Sequence, residues 1–286
     1  ACFGALWVGA SEIVGTRGTG TKWLQRGAIA VEARDYPQAI EDFTRAIELD
    51  PTLAAAYSDR CLVYIYQGNY PQALADCTQA IELDPSNREA YLNRGLARYR
   101  TGRYPEAIAD TDRVLQLNPG DARAYYNRGL SRYELHDYRG AIEDYDRAIV
   151  PESSLEPMQQ AAIYIDRGLA YLGIDNPPEA VTNFDRAIAL DTQNARAYYN
   201  RACTYHRLGD VDRTVEDLTQ VLRLDPSSAQ ARANRGLIYY QLGNRPAALQ
   251  DLRLAARHFA ENGRDEASSQ LRDVIEQMGR SRLALG

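Results

Sequence analysis

The chain of 286 residues has few of the residues from which metal and redox centres are built. It contains four cysteines and three histidines, with no Cys-x-x-Cys pair and no His-Glu-x-x-His motif. These absences argue against zinc sites, thioredoxin-like motifs and metalloprotease chemistry, so neither a metal nor a cofactor is predicted. We interpret Cys61 and Cys77 as small buried hydrophobic residues; a disulfide between them is the alternative that this leaves open.

Motifs of enzymes and nucleotide-binding proteins are also missing. No Gly-x-Ser-x-Gly sequence is present. The segment "GTRGTGTK" at residues 15–22 has threonine at the place where a phosphate-binding loop requires lysine directly after glycine. The carboxylates are expected on solvated helix faces or beside arginines. The sequence therefore predicts a protein that is not an enzyme.

An excess of positive charge and a long apolar run are both lacking. The net charge is −6 at pH 7, whereas a nucleic-acid binder needs a basic face, so no nucleic-acid partner is expected. The apolar run at the start of the chain ends near Ser11 and Glu12 and is too short to span a bilayer. Residues 1–19 are either the remnant of a signal or anchor segment, which would permit membrane association, or a short docked helix.

Repetition is what the sequence has in abundance. The phrases "YLNRGLARY", "YYNRGLSRY" and "YYNRACTYH" begin at Tyr91, Tyr125 and Tyr198. Alignment on the small residue after Asn-Arg gives seven units, and these small residues are Gly27, Cys61, Gly95, Gly129, Gly168, Ala202 and Gly236. The intervals between them are all 34 residues except the fourth, which is 39. A fixed period of this length indicates an array of repeated units.

Each unit is predicted to be a pair of helices. An aromatic residue lies four positions before the small residue in six units, which places both on one helical face. A break such as "QGNY" at residues 67–70 then ends the first helix, because glycine can terminate a helix. "LDP" or "LNP" ends the second helix, because the residue before proline avoids helical angles. Such a pair cannot bury its apolar faces alone.

With these offsets the chain resembles the tetratricopeptide repeat (TPR) family over about residues 20 to 255. The resemblance implies an all-α, right-handed superhelical solenoid of antiparallel helix pairs. We predict an N-terminal segment over 1–19, seven TPR units over 20–262, a capping helix over 263–280 and a tail over 281–286. A five-residue insertion near 150–160 is either a longer surface loop, or a contact loop or a change in superhelix pitch. Arg232 and Thr214 are local departures from the pattern.

An arginine precedes the small residue in every unit, and in six units an acid follows the small residue by fifteen positions. The arginines are Arg26, Arg60, Arg94, Arg128, Arg167, Arg201 and Arg235. Their counterparts are Asp42, Asp76, Asp110, Asp144, Asn183, Asp217 and Asp251. We predict that each pair ties the first helix to the second, so that these arginines are structural rather than an anion-binding ladder.

A polar stripe lies opposite the buried face of each first helix, at positions −6, −2, +1 and +5 from the small residue. The resemblance implies that this face lines a concave groove for a protein or peptide partner. The candidate binding residues are amides, tyrosines and arginines, which suit protein interfaces. They are Asn93, Arg100, Arg123, Tyr126, Asn127, Tyr133, Arg196, Tyr199, Asn200, Arg207, Asn234 and Tyr240. A solvated helix face without a ligand is the alternative.

The style of the repeats, as in "DYPQAIEDFTRAIELDP" at residues 35–51, is similar to bacterial TPR proteins, especially those of photosynthetic bacteria. The resemblance implies a non-enzymatic scaffold or assembly factor that holds a partner segment in its groove. It also suggests a role in assembling a membrane complex such as a photosystem. The alternative is a permanent structural subunit of a larger complex or homo-oligomer. Residues 1–19 leave the location open between the bacterial cytoplasm and the periplasm or membrane.

Overall fold

The computed structural model describes residues 19–149 and 155–283, and all regular structure within them is helical. The first helices of the seven units are α1 (Thr19–Glu32), α3 (Ala54–Tyr66), α5 (Arg88–Arg100), α7 (Ala122–Glu134), α9 (Pro157–Gly173), α11 (Ala195–Arg207) and α13 (Ala229–Gln241). The second helices are α2 (Tyr36–Leu49), α4 (Tyr70–Leu83), α6 (Tyr104–Leu117), α8 (Tyr138–Ala148), α10 (Pro177–Leu190), α12 (Val211–Leu224) and α14 (Arg245–Glu261). After them comes α15 (Asp265–Leu283).

The fold class is the one predicted, an all-α solenoid of antiparallel helix pairs. The chain divides into two compact units, Ala1–Gln159 and Gln160–Gly286, and helices that follow one another within a unit pack together. The predicted cap corresponds to α15, where Leu271 and Met278 are buried against α14. The predicted N-terminal segment lies outside the described residues. So do residues 150–154 of the insertion, whereas residues 157–160 belong to the first turn of α9.

The turn between the two helices of a repeat always contains one residue with left-handed backbone angles. Glycine fills this place in four repeats, as Gly68, Gly102, Gly209 and Gly243, with φ between 73° and 78°. In the other three repeats the residues are Arg34, His136 and Asp175, with φ of 60° or 61°. Glycine adopts such angles without the steric cost of a Cβ atom, and so the tight turn is favoured by sequence in most repeats.

The small residue of each first helix lies against the residue that follows it by sixteen positions, on the second helix. These partners are Phe43, Cys77, Thr111, Tyr145, Phe184, Leu218 and Leu252, and none is more than 1% exposed. A Cβ atom on Gly129 would lie 2.6 Å from the ring of Tyr145, and one on Gly168 would lie 2.6 Å from Phe184. Glycine is therefore required where the partner is aromatic. Ala202, by contrast, accompanies the smaller Leu218 in one core cluster.

Cys61 and Cys77 occupy these two facing places in the second repeat, and a disulfide joins them. Both residues are fully buried. The prediction that they are unlinked hydrophobic residues is wrong. The reason is geometric, because positions sixteen apart face each other across every helix pair, and only in this repeat are both of them cysteine.

The predicted arginine–acid pairs are confirmed, and most of the arginines also form a hydrogen bond to the preceding repeat. In the second, third, fourth, sixth and seventh repeats, Nε and Nη2 donate to the paired aspartate of the same repeat. In the same repeats Nη1 donates to the second helix of the preceding repeat. The acceptors there are Thr44, Thr78, Asp112, Asp185 and Thr219. One guanidinium group thus ties three helices together.

The first prediction concerns the acid of this arrangement. Asp110 is 2% exposed and accepts hydrogen bonds from both Arg94 and Arg98. Asp110→Ala should lower the free energy of unfolding by about 1–3 kcal/mol, because two cations lose their buried acceptor. Asp110→Asn should lower it less, since the fifth repeat naturally pairs Arg167 with the amide of Asn183. Denaturant unfolding measures both changes, and equal stability of Asp110→Ala and wild type would refute the structural role.

The second prediction compares two glycines at the same place in neighbouring repeats. Gly129→Ala should destabilise the protein by about 1–3 kcal/mol, because the new methyl group overlaps the ring of Tyr145. Gly95→Ala should be neutral or stabilising by up to about 1 kcal/mol, since its nearest neighbour would be 3.4 Å away and alanine favours helix. Thermal unfolding of the two variants side by side distinguishes them. Equal effects would contradict the packing argument.

The third prediction concerns the disulfide. Its cysteines are 16 residues apart, and cross-linking a loop of this length stabilises a chain by about 3 kcal/mol in the loop-entropy model. Adding reductant should therefore lower the Tm of the wild type. The double variant Cys61→Ala/Cys77→Leu copies the Ala202 and Leu218 of the sixth repeat, and its Tm should not respond to reductant. Four reactive thiols in the unfolded, unreduced protein, instead of two, would exclude the disulfide.

Candidate functional site

The first helices form a layer of their own within each compact unit. In the N-terminal unit α1 contacts α3, α3 contacts α5 and α5 contacts α7. In the C-terminal unit, side chains link α9 to α11 and α11 to α13. The stripe at positions −6, −2, +1 and +5 of the first helices lies on this layer. We call it the first-helix stripe.

Two candidate residues of the N-terminal unit are buried. Asn93 is 3% exposed, and its Nδ2 atom donates to the backbone oxygen of Ser58 at 3.4 Å. Tyr126 is 6% exposed, with its ring centre 6.0 Å from that of Tyr145. Asn93 therefore contacts the preceding first helix, and Tyr126 points to the second helix of its own repeat. The interpretation of these two as groove-facing residues needs correction, because neither presents its side chain to a partner.

Arg123 on α7 forms an ion pair with Glu89 on α5, the preceding first helix. Its Nη2 atom lies 2.7 Å from Oε1 of Glu89, and its Nη1 atom lies 3.1 Å from Oε2. Burial by itself lowers the pKa of Arg123, but the hydrogen bonds and negative charges of Glu89 and Asp121 together raise it above the ordinary value. Arg123 thus stays charged and is neutralised by the protein itself. Asn127, Arg100 and Tyr133 are partly exposed on the same compact unit.

The arginines of the C-terminal unit are paired in the same way. Arg196 donates to Asp166 at 2.6 Å, joining α11 to α9, and Arg207 pairs with Asp175. Neither of these acids was predicted from the sequence, nor was Glu89. For Arg123 and Arg196 the signal was present, since Glu89 and Asp166 lie at position −6 or −2 of one repeat and the arginine lies at position −6 of the next. These two arginines join successive first helices, whereas Arg207 pairs with Asp175 in the turn after α9.

The amides of the C-terminal unit occupy the expected layer. Nδ2 of Asn234 donates to the hydroxyl group of Tyr199 at 3.0 Å, which links α13 to α11. Nδ2 of Asn200 is buried without a hydrogen-bond acceptor. Tyr240 is 41% exposed, and Arg207 is also exposed. Helices α11 and α13 thus carry six of the predicted residues: Arg196, Tyr199, Asn200, Arg207, Asn234 and Tyr240.

A cavity of about 220 Å³ lies between α11, α12 and α13. It is lined by Ala202, Cys203, His206, Thr214, Leu218, Asn234, Leu237, Ile238 and Gln241. Cys203, His206 and Gln241 are exposed, so the cavity opens to solvent on the first-helix side. None of these lining residues is an Asp, Glu, Lys or Arg. This site was not predicted from the sequence.

One departure from the repeat pattern lies in the wall of the cavity. Position +1 is leucine in five repeats, at Leu62, Leu96, Leu130, Leu169 and Leu237, and alanine at Ala28 in the first repeat. In the sixth repeat it is Cys203, whose side chain is two heavy atoms shorter than leucine. This departure from the leucine of five other repeats was the signal available in the sequence.

Two groups at the cavity, the Tyr199 hydroxyl and the Cys203 thiol, have raised pKa values. Burial, together with the nearby Cys203, raises the pKa of Tyr199 to about 12. Burial also raises the pKa of the Cys203 thiol above its ordinary value. The thiolate is the reactive form of cysteine, so a protonated Cys203 behaves as a small polarisable wall residue rather than a nucleophile.

Comparison with known families is consistent with this repeat pattern. Family models described as tetratricopeptide repeat match residues 21–53, 59–122, 122–150 and 195–228, and one described as TPR repeat matches residues 177–209. Together they cover more than half of the chain. The chain belongs to the tetratricopeptide repeat family. No curated protein matches the sequence.

Solved structures share the fold. A tetratricopeptide repeat protein from Parabacteroides merdae aligns with a TM-score of 0.65 and 21% identity, covering 87% of this chain and 98% of that one. YrrB, described as a TPR protein with an unusual peptide-binding site, aligns with a TM-score of 0.53 and 22% sequence identity. The alignment covers 68% of this chain and 97% of YrrB. A chain of the APC/C hetero-tetramer Cut9-Hcn1 aligns with a TM-score of 0.68 and 19% sequence identity, and the alignment covers 77% of this chain. This TPR chain spans only 42% of that matched chain.

The TPR fold is that of a protein–protein interaction scaffold, and none of the matched family models describes an enzyme. Over residues 19–149 and 155–283, no helix combines the length and apolar character needed to cross a membrane. The same ranges contain no cluster of three or more His, Cys, Asp or Glu side chains suited to a metal ion.

Proposed function

We propose that this TPR protein holds an extended segment of a partner protein against the first helices of its C-terminal unit. One observation carries the proposal: α11 and α13 present exposed tyrosine, arginine and amide side chains beside a cavity that is open to solvent. Such a mixture of side chains is typical of the residues that dominate protein interfaces. An open cavity in a TPR scaffold is the place where a partner gains most from burial.

The pairing of charges on this surface favours a protein segment over a polyanion. Arg196 and Arg207 are neutralised by Asp166 and Asp175, so they do not form a positive patch. Asparagine side chains on the stripe can donate to and accept from a peptide backbone without reading its sequence. An extended segment therefore finds hydrogen bonds along the stripe and an apolar anchor at the cavity.

The remaining candidates of the N-terminal unit are a weaker case. Asn127, Arg100 and Tyr133 keep partly exposed side chains, while Asn93 and Tyr126 are used inside the fold. We infer that the C-terminal unit is the principal binding surface. YrrB, a TPR protein with an unusual peptide-binding site, supports peptide binding by this chain through similarity of fold alone. The assembly of a membrane complex rests on sequence style and stays a prediction.

The fourth prediction tests this surface. A pull-down from the source organism, read by mass spectrometry, identifies a partner whose affinity is then measured by calorimetry. The double variant Arg207→Ala/Tyr240→Ala should weaken binding at least about tenfold, because exposed arginine and tyrosine are the residue types that most often dominate interface energy. Circular dichroism checks that the variant is folded.

The matched control removes two exposed arginines from the second helices. Arg223 on α12 and Arg253 on α14 lie away from the first-helix stripe and are exposed. Arg223→Ala/Arg253→Ala should bind the partner as tightly as the wild type. The proposal fails if the folded Arg207→Ala/Tyr240→Ala variant binds like wild type, or if the control loses as much affinity.

A further inference from the structure

We infer that the cavity between α11, α12 and α13 is a subsite for one aromatic side chain, phenylalanine in the simplest case, of the bound segment. The inference deepens the proposed function and rests on it. It names the chemistry of the partner at one position, which the repeated polar stripe alone does not specify. The volume of the cavity, the character of its walls and the reason for its existence all support it.

The volume matches an aromatic ring. The cavity measures about 220 Å³, and a dry apolar cavity of about 150 Å³ is enough to bind benzene. A phenyl ring with its methylene group therefore fits. An alanine or valine side chain would leave much of the space empty, and wall atoms without neighbours forfeit their dispersion contacts. A whole drug-sized molecule needs more room, since such sites measure roughly 300–1,000 Å³.

The walls select against charge. Leu218, Leu237 and Ile238 supply apolar surface, and Ala202 leaves space between them. A lysine, arginine or carboxylate side chain placed here would lose its hydration without finding an opposite charge among the lining residues. Charge complementarity thus favours an uncharged ring. The thiol of Cys203 adds a polarisable sulfur, and sulfur makes favourable contacts with the edges of aromatic rings.

The polar lining residues suit the part of the segment that leaves the cavity. His206 and Gln241 are exposed, and Asn234 lies one helical turn before Leu237 on the same face of α13. A ring inserted between α11 and α13 would bring its own backbone close to these donors and acceptors. A buried ring with backbone hydrogen bonds on either side would fix the register of an otherwise sequence-tolerant contact. That is how a repeated surface acquires specificity at one place.

In most other repeats the residue at position +1 is leucine, whereas in the sixth repeat it is Cys203. This offers a direct experiment: Cys203→Leu restores the side chain that the repeat normally has at this place. It should fold, since five other repeats accommodate leucine at that position, and it should fill the cavity. Cys203→Ala is the matched control, because it removes the thiol and leaves the cavity open.

The fifth prediction uses the whole chain with isotopically labelled isoleucine and leucine methyl groups. Titration with N-acetyl-L-phenylalanine amide should shift the methyl resonances of Leu218, Leu237 and Ile238 with saturation in the millimolar range expected for so small a ligand. N-acetyl-L-alanine amide and N-acetyl-L-lysine amide should not. The shifts should persist in Cys203→Ala and disappear in Cys203→Leu, while thermal unfolding shows both variants to be folded.

The outcomes separate this inference from the proposed function. Absence of saturable shifts in the wild type, shifts that persist in Cys203→Leu, or equal shifts with the lysine derivative would each overturn the subsite. If Cys203→Leu binds the identified partner at wild-type affinity while Arg207→Ala/Tyr240→Ala does not, the groove stands and the aromatic subsite falls. A partner that loses at least tenfold in affinity to both changes supports the two together.

Discussion

The array depends on a guanidinium group that, in five of the seven repeats, is partly buried between helices and shared among three of them. Arg128 illustrates the arrangement: it donates to Asp144 on the second helix of its own repeat and to Asp112 on the second helix of the preceding one. The hydrogen bonds to these carboxylates raise the pKa of Arg128 above its ordinary value, so the guanidinium group is charged at neutral pH. Because a helix pair cannot bury its faces alone, stability must come from contacts with neighbours, and this group provides contacts both within and between repeats.

A second contact within each helix pair joins the small residue of the first helix to the residue sixteen positions later on the second helix. The sizes of these two side chains are matched in most repeats. Glycine lies against phenylalanine or tyrosine, alanine against leucine, and cysteine is joined to cysteine. Leucine also faces a glycine in the seventh repeat, as Gly236 and Leu252, and Gly95 lies beside Thr111 in the third, so the two positions are not restricted to one combination. The disulfide is a covalent version of the same contact. It closes the second repeat without altering the path of the chain.

The proposed binding surface consists of the stripe residues whose side chains stay exposed after others are buried or paired within the fold. Asn93 and Tyr126 are buried, and Arg123 is paired with Glu89. On α11 and α13, Arg196, Arg207 and Asn234 are also paired, but Arg207 and Tyr240 keep exposed side chains, and position +1 of α11 is cysteine instead of leucine. Residues that lie in register in the sequence are therefore unequal in the structure. A repeated surface of this kind gains a distinct site where one repeat departs from the pattern, since identical repeats would offer a partner identical contacts.

By itself the sequence determined the number of repeats, the helix pairs, the capping helix and the arginine–acid pairs, because these depend on fixed spacings along one chain. The positions sixteen apart that carry the disulfide were also readable in principle, since they follow from the same spacing. Only the tertiary structure decided which stripe residues pair with neighbouring helices, as Arg196 pairs with Asp166. It also decided where a cavity opens beside Cys203. Pairing and burial between successive first helices depend on distances across the layer. A single sequence specifies the residues at those positions but not the space between them.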